Sequence, residues 1–166
     1  MNLNRIPSGE IVVIDANIFL YAIQKASAQC QRLLERVAKE EVVGILPLHT
    51  LAGVTHHLMM AEAYDNQWIT APNHARELRE QPDRVRALIR YEGMVRDLLS
   101  IGLHLEPLQR EDFLSAMMVQ RQAGLLINEA LLVAVGQRLR AQAIASTNSS
   151  FARVQGMLLY APEDVE

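Results

Sequence analysis

The stretch Ile11-Val12-Val13-Ile14-Asp15-Ala16-Asn17-Ile18-Phe19-Leu20 decides how this chain is read. Four successive β-favouring apolar residues leave no polar face, which is the pattern of a strand covered on both sides in a parallel sheet. The run ends on a carboxylate, Asp15, and a turn residue leads into a second apolar stretch of helical character. In open α/β sheets, ligands bind outside the carboxyl ends of the strands. Asp15 is therefore a candidate site residue, although an Asp just before a helix also serves as its N-cap. Both readings stay open on this segment alone.

Outward from that strand, short apolar runs alternate with helical periodicity. Ser27 to Glu40 carries the stripe Leu33, Leu34 and Val37, and Val42 to Leu46 is a second strand closed by Pro47. His49 to Tyr64 reads as a helix with Leu51, Val54, Leu58 and Ala61 on one face. Asp65 to Pro82 is polar and turn-rich. Asp83 to Ser100 reads as one long amphipathic helix, with Val85, Leu88, Val95 and Leu99 inward and Gly102 as its terminator. Two helices are thus expected between strands two and three. Leu103 to Leu105 is the third strand, and Glu111 to Gln122 a helix closed by Gly124. Asn128 is the expected cap of a helix reaching about Arg140, followed by strands at Ala143 to Ser146 and Met157 to Tyr160. The alternation predicts an α/β fold with a parallel sheet, one domain over 1–166 with its core at about 11–160.

Bulk properties narrow the function. The chain has 166 residues, a formal net charge of -3 and 21% charged residues, which describes an ordinary globular domain and not a strongly basic nucleic-acid binder. The single cysteine, Cys30, excludes an internal disulfide and fits a reducing compartment. No apolar run is long enough to span a membrane, and Met1 to Glu10 lacks a signal-like core, so a cytoplasmic location is expected. No Gly-rich phosphate loop follows the first strand and no nucleophile elbow is present. Asp15-Ala16-Asn17 lacks the second aspartate of aspartyl-phosphate phosphatases, so a small-molecule enzyme has no motif to support it.

Two further polar segments sit at element boundaries. In Gly124-Leu125-Leu126-Ile127-Asn128-Glu129-Ala130-Leu131-Leu132, Glu129 falls in the first turn of a buried helix, where the helix dipole alone favours an acid. Ala145-Ser146-Thr147-Asn148-Ser149-Ser150-Phe151 follows the fourth strand and is rich in capping residue types. Taken in order, Val13-Ile14-Asp15-Ala16-Asn17, the helix Leu51-Ala52-Gly53-Val54-Thr55-His56, Gly124-(x4)-Glu129-Ala130-Leu131 and Thr147-Asn148-Ser149 resemble the PIN-domain nucleases. The likeness is greatest to bacterial toxin ribonucleases of the VapC kind and runs from Ile11 to about Tyr160.

The resemblance implies a PIN-like three-layer fold with a five-stranded parallel sheet. It also implies a strand-end acidic site that holds Mg²⁺ or Mn²⁺ for endoribonuclease cleavage of RNA. It makes Asp15 and Glu129 the metal ligands and catalytic acids, and gives Asn148 and Ser149 supporting roles. Asn17 and Thr147 become substrate neighbours. Arg86 and Arg90, on the helix that also carries Arg84 and Arg96, are candidates for RNA backbone contacts, with a solvated helix face as the plain alternative. A small antitoxin is the implied partner, and a homodimer follows by analogy.

The chain departs from the family pattern at three acidic positions: Gly53 stands for a glutamate, Glu129 for an aspartate, and Ser149 for the last acid. Charge count governs affinity for hard cations, so weak divalent binding is expected. His49 and His56 flank Gly53 as candidate replacements, favouring Mn²⁺ or Zn²⁺ over Mg²⁺. Two functions compete: a divergent metal-dependent endoribonuclease, and a catalytically impaired scaffold that binds RNA or a protein.

Overall fold

A computed structural model describes residues 1–165. The sheet contains β1 (Ile11–Ile14), β2 (Val43–Pro47), β3 (His104–Glu106), β4 (Ala143–Ala145) and β5 (Leu158–Tyr160), in the order β3-β2-β1-β4-β5. All its pairings are parallel. β1 is central, with Val12 opposite Gly44 on one side and Ala143 on the other. Its side chains alternate between faces, as a strand's must. Val12 and Ile14 join one core cluster, and Val13 joins the other. That two-sided burial is what the unbroken apolar run encodes.

On the first face lie α1 (Ala16–Ile23), α2 (Ala28–Ala38), α3 (Leu48–Asp65) and α6 (Arg90–Ser100), around Phe19, Leu33, Leu58 and Leu98. The second face carries α7 (Arg110–Ala123), α8 (Ile127–Arg138) and a short 3-10 turn over Ser149–Arg153. α8 lies close on β1 because residue 136 is glycine. A Cβ there would come within 2.7 Å of the Val13 Cγ2. Gly124, at φ 65°, ends α7 in the left-handed conformation and turns the chain into α8.

The segment between β2 and β3 holds four helices, not two, because α4 (Ala75–Arg79) and α5 (Pro82–Ala87) also form. The expected single helix over 83–100 is broken. Leu88 is extended at φ -67°, ψ 125° and buries its side chain at 4% exposure, against Met60, Ala63, Ile69 and Leu78. α6 then restarts on the buried carboxylate of Glu62, which accepts from the backbone N–H groups of Ile89, Arg90 and Tyr91 at 2.9, 3.0 and 2.9 Å. Burial alone would raise the Glu62 pKa, but the three amides and the Arg90 charge hold it below the ordinary carboxylate value. Leu98 takes the inward position expected of Leu99, which is 42% exposed.

Two boundaries also move. β3 runs to Glu106, whose carboxylate receives the Arg138 guanidinium at 2.6 Å. α8 begins at Ile127 with Leu126 as its N-cap residue, so Asn128 lies inside the first turn instead of capping it. Among the described residues, no helix is long and apolar enough to cross a membrane.

Candidate functional site

The strand order places the change of sheet direction at β1: the connection from β1 leads to β2 on one side, and the later β4 returns to the other. Crevices form at such points, at the carboxyl ends of the strands. Asp15 follows β1 there, and Ser146 follows β4. The Ser146 hydroxyl donates to Asp15 Oδ2 at 2.6 Å across 131 residues of sequence. The Asn17 amide donates to the same oxygen at 2.8 Å, and the Ala16 N–H donates to Asp15 Oδ1 at 2.7 Å. Asp15 is therefore both the N-cap of α1 and a residue of the cleft.

Glu129 reaches the same cleft from α8. A space of about 180 Å³ is lined by Asp15, His49, Thr50, Gly53, His57 and Glu129, among others. Glu129 Oε2 accepts from the Leu126 N–H at 2.7 Å, closing the helix start, and Oε1 accepts from the Asn148 side-chain amide at 2.8 Å. The backbone N–H of Asn148 donates to the Ser146 hydroxyl at 3.0 Å. A continuous chain of hydrogen bonds thus joins Glu129 to Asp15 through Asn148 and Ser146. Asn17 extends it, accepting from the Thr147 N–H at 3.2 Å.

The other expected site residues lie elsewhere. Ser149 is exposed at the start of the 3-10 turn and is absent from the cleft lining. Arg86 is exposed and pairs with Asp83, while Arg90 pairs with Asp65 at the far end of α3. Neither arginine lines the cleft. Of the histidines near Gly53, His57 and not His56 shares its face toward the cleft, four positions on. His49 also lines it, and its Nε2 lies 3.3 Å from the Asn128 carbonyl oxygen. With that carbonyl as acceptor, Nε2 carries the proton and Nδ1 keeps its lone pair. Nδ1 is buried and has no hydrogen-bond partner among the described residues. Burial lowers the His49 pKa, against the raising effects of the Asn128 carbonyl, Asp15 and Asp112.

Ser146 is the member that reading by residue type overlooked. It is fully buried, and its only signal in the sequence is its place as the first polar residue after β4. Two more acids near this end of the sheet are already engaged. Arg138 donates to Asp112 Oδ1 and Oδ2 at 2.8 and 2.9 Å and to Glu106 Oε1 at 2.6 Å. Burial pushes the Asp112 pKa up, but Arg138 and the Gln109 N–H pull it below the usual value.

The donor set can be tested for a divalent ion. Asp15 and Glu129 supply two carboxylates, and both oxygens of each already accept hydrogen bonds from the chain. His49 Nδ1 is a nitrogen donor, unsuited to Mg²⁺. Among the described residues, no three His, Cys, Asp or Glu side chains are grouped to hold an ion. The residues present do not fit a firmly held Mg²⁺ or Mn²⁺.

Comparison with known proteins agrees with this architecture. The PIN domain family model matches residues 12–157, and the chain belongs to the PIN domain family. The fold is similar to VapBC2 from Rickettsia felis bound to a DNA fragment from their promoter, at 17% identity and a TM-score of 0.59. That match covers 92% of this chain and 98% of the other. It is also similar to a toxin–antitoxin complex from Klebsiella pneumoniae, at 15% identity, TM-score 0.53, and 89% and 95% coverage. A third similar structure is PAE2754 from Pyrobaculum aerophilum, at 12% identity, TM-score 0.51, and 90% and 88% coverage. No curated protein matches the sequence.

Proposed function

We propose that this PIN-domain chain is the toxin-side member of a toxin–antitoxin pair whose nuclease centre is catalytically impaired, and that it works by binding a protein partner. The observation that carries this reading is the chemistry of the cleft. Two carboxylates are satisfied by the chain's own N–H and O–H groups, and among the described residues no third acid joins them. Without a cation, such a cleft repels the phosphates of RNA and favours a partner that brings positive charge. A small antitoxin is that partner. The outer face of α7, where Phe113, Leu114, Met117 and Met118 are exposed at i, i+1, i+4 and i+5, is the surface for a second copy of the chain.

A second reading is supported by the convergence of Asp15 and Glu129 in one cleft: metal-dependent endoribonuclease activity on RNA. The two readings separate in one experiment. Structured RNA is incubated with the protein in Mg²⁺ and then in Mn²⁺, beside the Asp15→Asn variant. Impairment predicts cleavage no faster than that of the variant. Cleavage that Asp15→Asn abolishes overturns the impaired reading and establishes the nuclease. Co-expression with the product of a short neighbouring reading frame, followed by co-elution, tests the partner.

A further inference from the structure

The cleft contains one polar contact whose chemistry runs opposite to that of an ion site. A carboxylate oxygen at Glu129 can only accept, so the group 2.8 Å from it must be the Asn148 nitrogen. The remaining Asn148 oxygen accepts from the Ser150 N–H at 2.9 Å, which gives the same orientation independently. Asn148 therefore presents a fixed donor to Glu129. On the opposite wall, Gly53 presents no side chain. A Cβ added there meets nothing within 4 Å, and the position is helical, so a side chain can start there without strain or a clash at its first carbon.

We infer that Asn148 and Gly53 are the two positions that keep this cleft from holding a divalent cation, with the Asn148 amide N–H occupying the Glu129 oxygen that an ion would otherwise take. This deepens the impaired reading of the same cleft and rests on it. It places the missing acid at Asn148, whose side chain bonds Glu129, and not at its exposed neighbour Ser149. Asn148→Asp is isosteric. It keeps the bond to the Ser150 N–H and sets a second anionic oxygen against Glu129 Oε1. Like charges at that separation repel, and a divalent cation relieves the repulsion. Gly53→Glu adds a further carboxylate from the α3 side and brings the oxygen donors toward the set a hard cation requires.

Calorimetric titration with MnCl₂ tests the inference, together with melting temperatures in EDTA and in Mn²⁺. The unaltered protein should show no saturable binding at submillimolar Mn²⁺. The pair Asn148→Asp/Gly53→Glu should bind at least tenfold more tightly, with a Tm that climbs with Mn²⁺. The pair Ser149→Asp/Gly53→Glu should bind no more tightly than Gly53→Glu alone. Asn148→Asp alone should melt lower in EDTA and recover in Mn²⁺, which supplies a reading even if the double variant folds poorly. Submillimolar binding by the unaltered protein overturns the inference. So does equal or greater gain by the Ser149 pair, or a single variant whose Tm ignores Mn²⁺. These outcomes concern ion affinity alone, so they are separable from the RNA cleavage result, which decides the broader reading.

Discussion

Replacing Glu62 with glutamine is the sharpest test of how α3 holds the rest of the helical layer. The carboxylate is 4% exposed and accepts three backbone N–H groups at the start of α6. Glutamine keeps one oxygen, which can still receive Ile89 and Arg90, but turns an amide toward the Tyr91 N–H. A buried donor without an acceptor costs about 1–3 kcal/mol. Loss of the anion at the helix start removes roughly another 0.5–1 kcal/mol. The variant should therefore lose about 1.5–4 kcal/mol, equivalent to about 3–16 °C in Tm for a domain of this size.

The pH dependence has a definite sign. The folded-state pKa of Glu62 is depressed, so its contribution is complete above the unfolded-state pKa, about 4.3. That contribution disappears as pH falls through the lower folded value. Urea denaturation of the protein and of Glu62→Gln at pH 7, 5, 4 and 3.5 should show a constant gap at the two higher values. The gap should narrow at the two lower ones, where protonated Glu62 resembles glutamine. A gap that stays the same down to the lowest pH, or one below about 0.5 kcal/mol at pH 7, refutes the reasoning.

Other perturbations have equally definite outcomes. Arg138→Met leaves the Asp112 carboxylate, 2% exposed, without its counter-ion, and should lower stability in urea by about 3–5 kcal/mol; a loss under about 1 kcal/mol would show the pair to be dispensable. Gly136→Ala forces a methyl to within 2.7 Å of Val13 and should destabilise by about 1–3 kcal/mol, read as a lower Tm. An unchanged Tm would mean α8 can shift freely on β1. Met117→Lys with Met118→Lys should convert a dimer to a monomer in sedimentation without changing the far-ultraviolet spectrum. A protein that is monomeric before the change removes the case for α7 as a self-association face.

Legibility from sequence followed the range of the interactions. β1 was readable because its burial on two faces is written in four adjacent residues, and Asp15 at its end followed from that strand. The closure of α7 at Gly124 was readable for the same local reason. The break at Leu88 was not, because the carboxylate that restarts α6 lies 27 residues earlier, and the local pattern is amphipathic throughout. The end of β3 was shifted by Arg138, 32 positions away. In the cleft, Glu129 was recognisable as an acid at a helix start. The run Ser146-Thr147-Asn148-Ser149 was harder, because short polar residues carry no periodicity to say which of them faces inward. Ser146 and Asn148 do so; Ser149 does not. His57 in place of His56 reflects a choice between neighbouring helical faces that spacing alone leaves undecided.

The contact between Ser146 and Asp15 also sets a schedule for a newborn polypeptide. At a translation rate of about 5–20 residues per second, the 131 residues that separate them take roughly 7–26 s to synthesise. Until Ser146 has been made, Asp15 lacks that hydrogen bond and only one bank of the crevice can form. The crevice is complete only once the fourth strand has docked beside the first, so a chain that stops before it lacks the Ser146 bank.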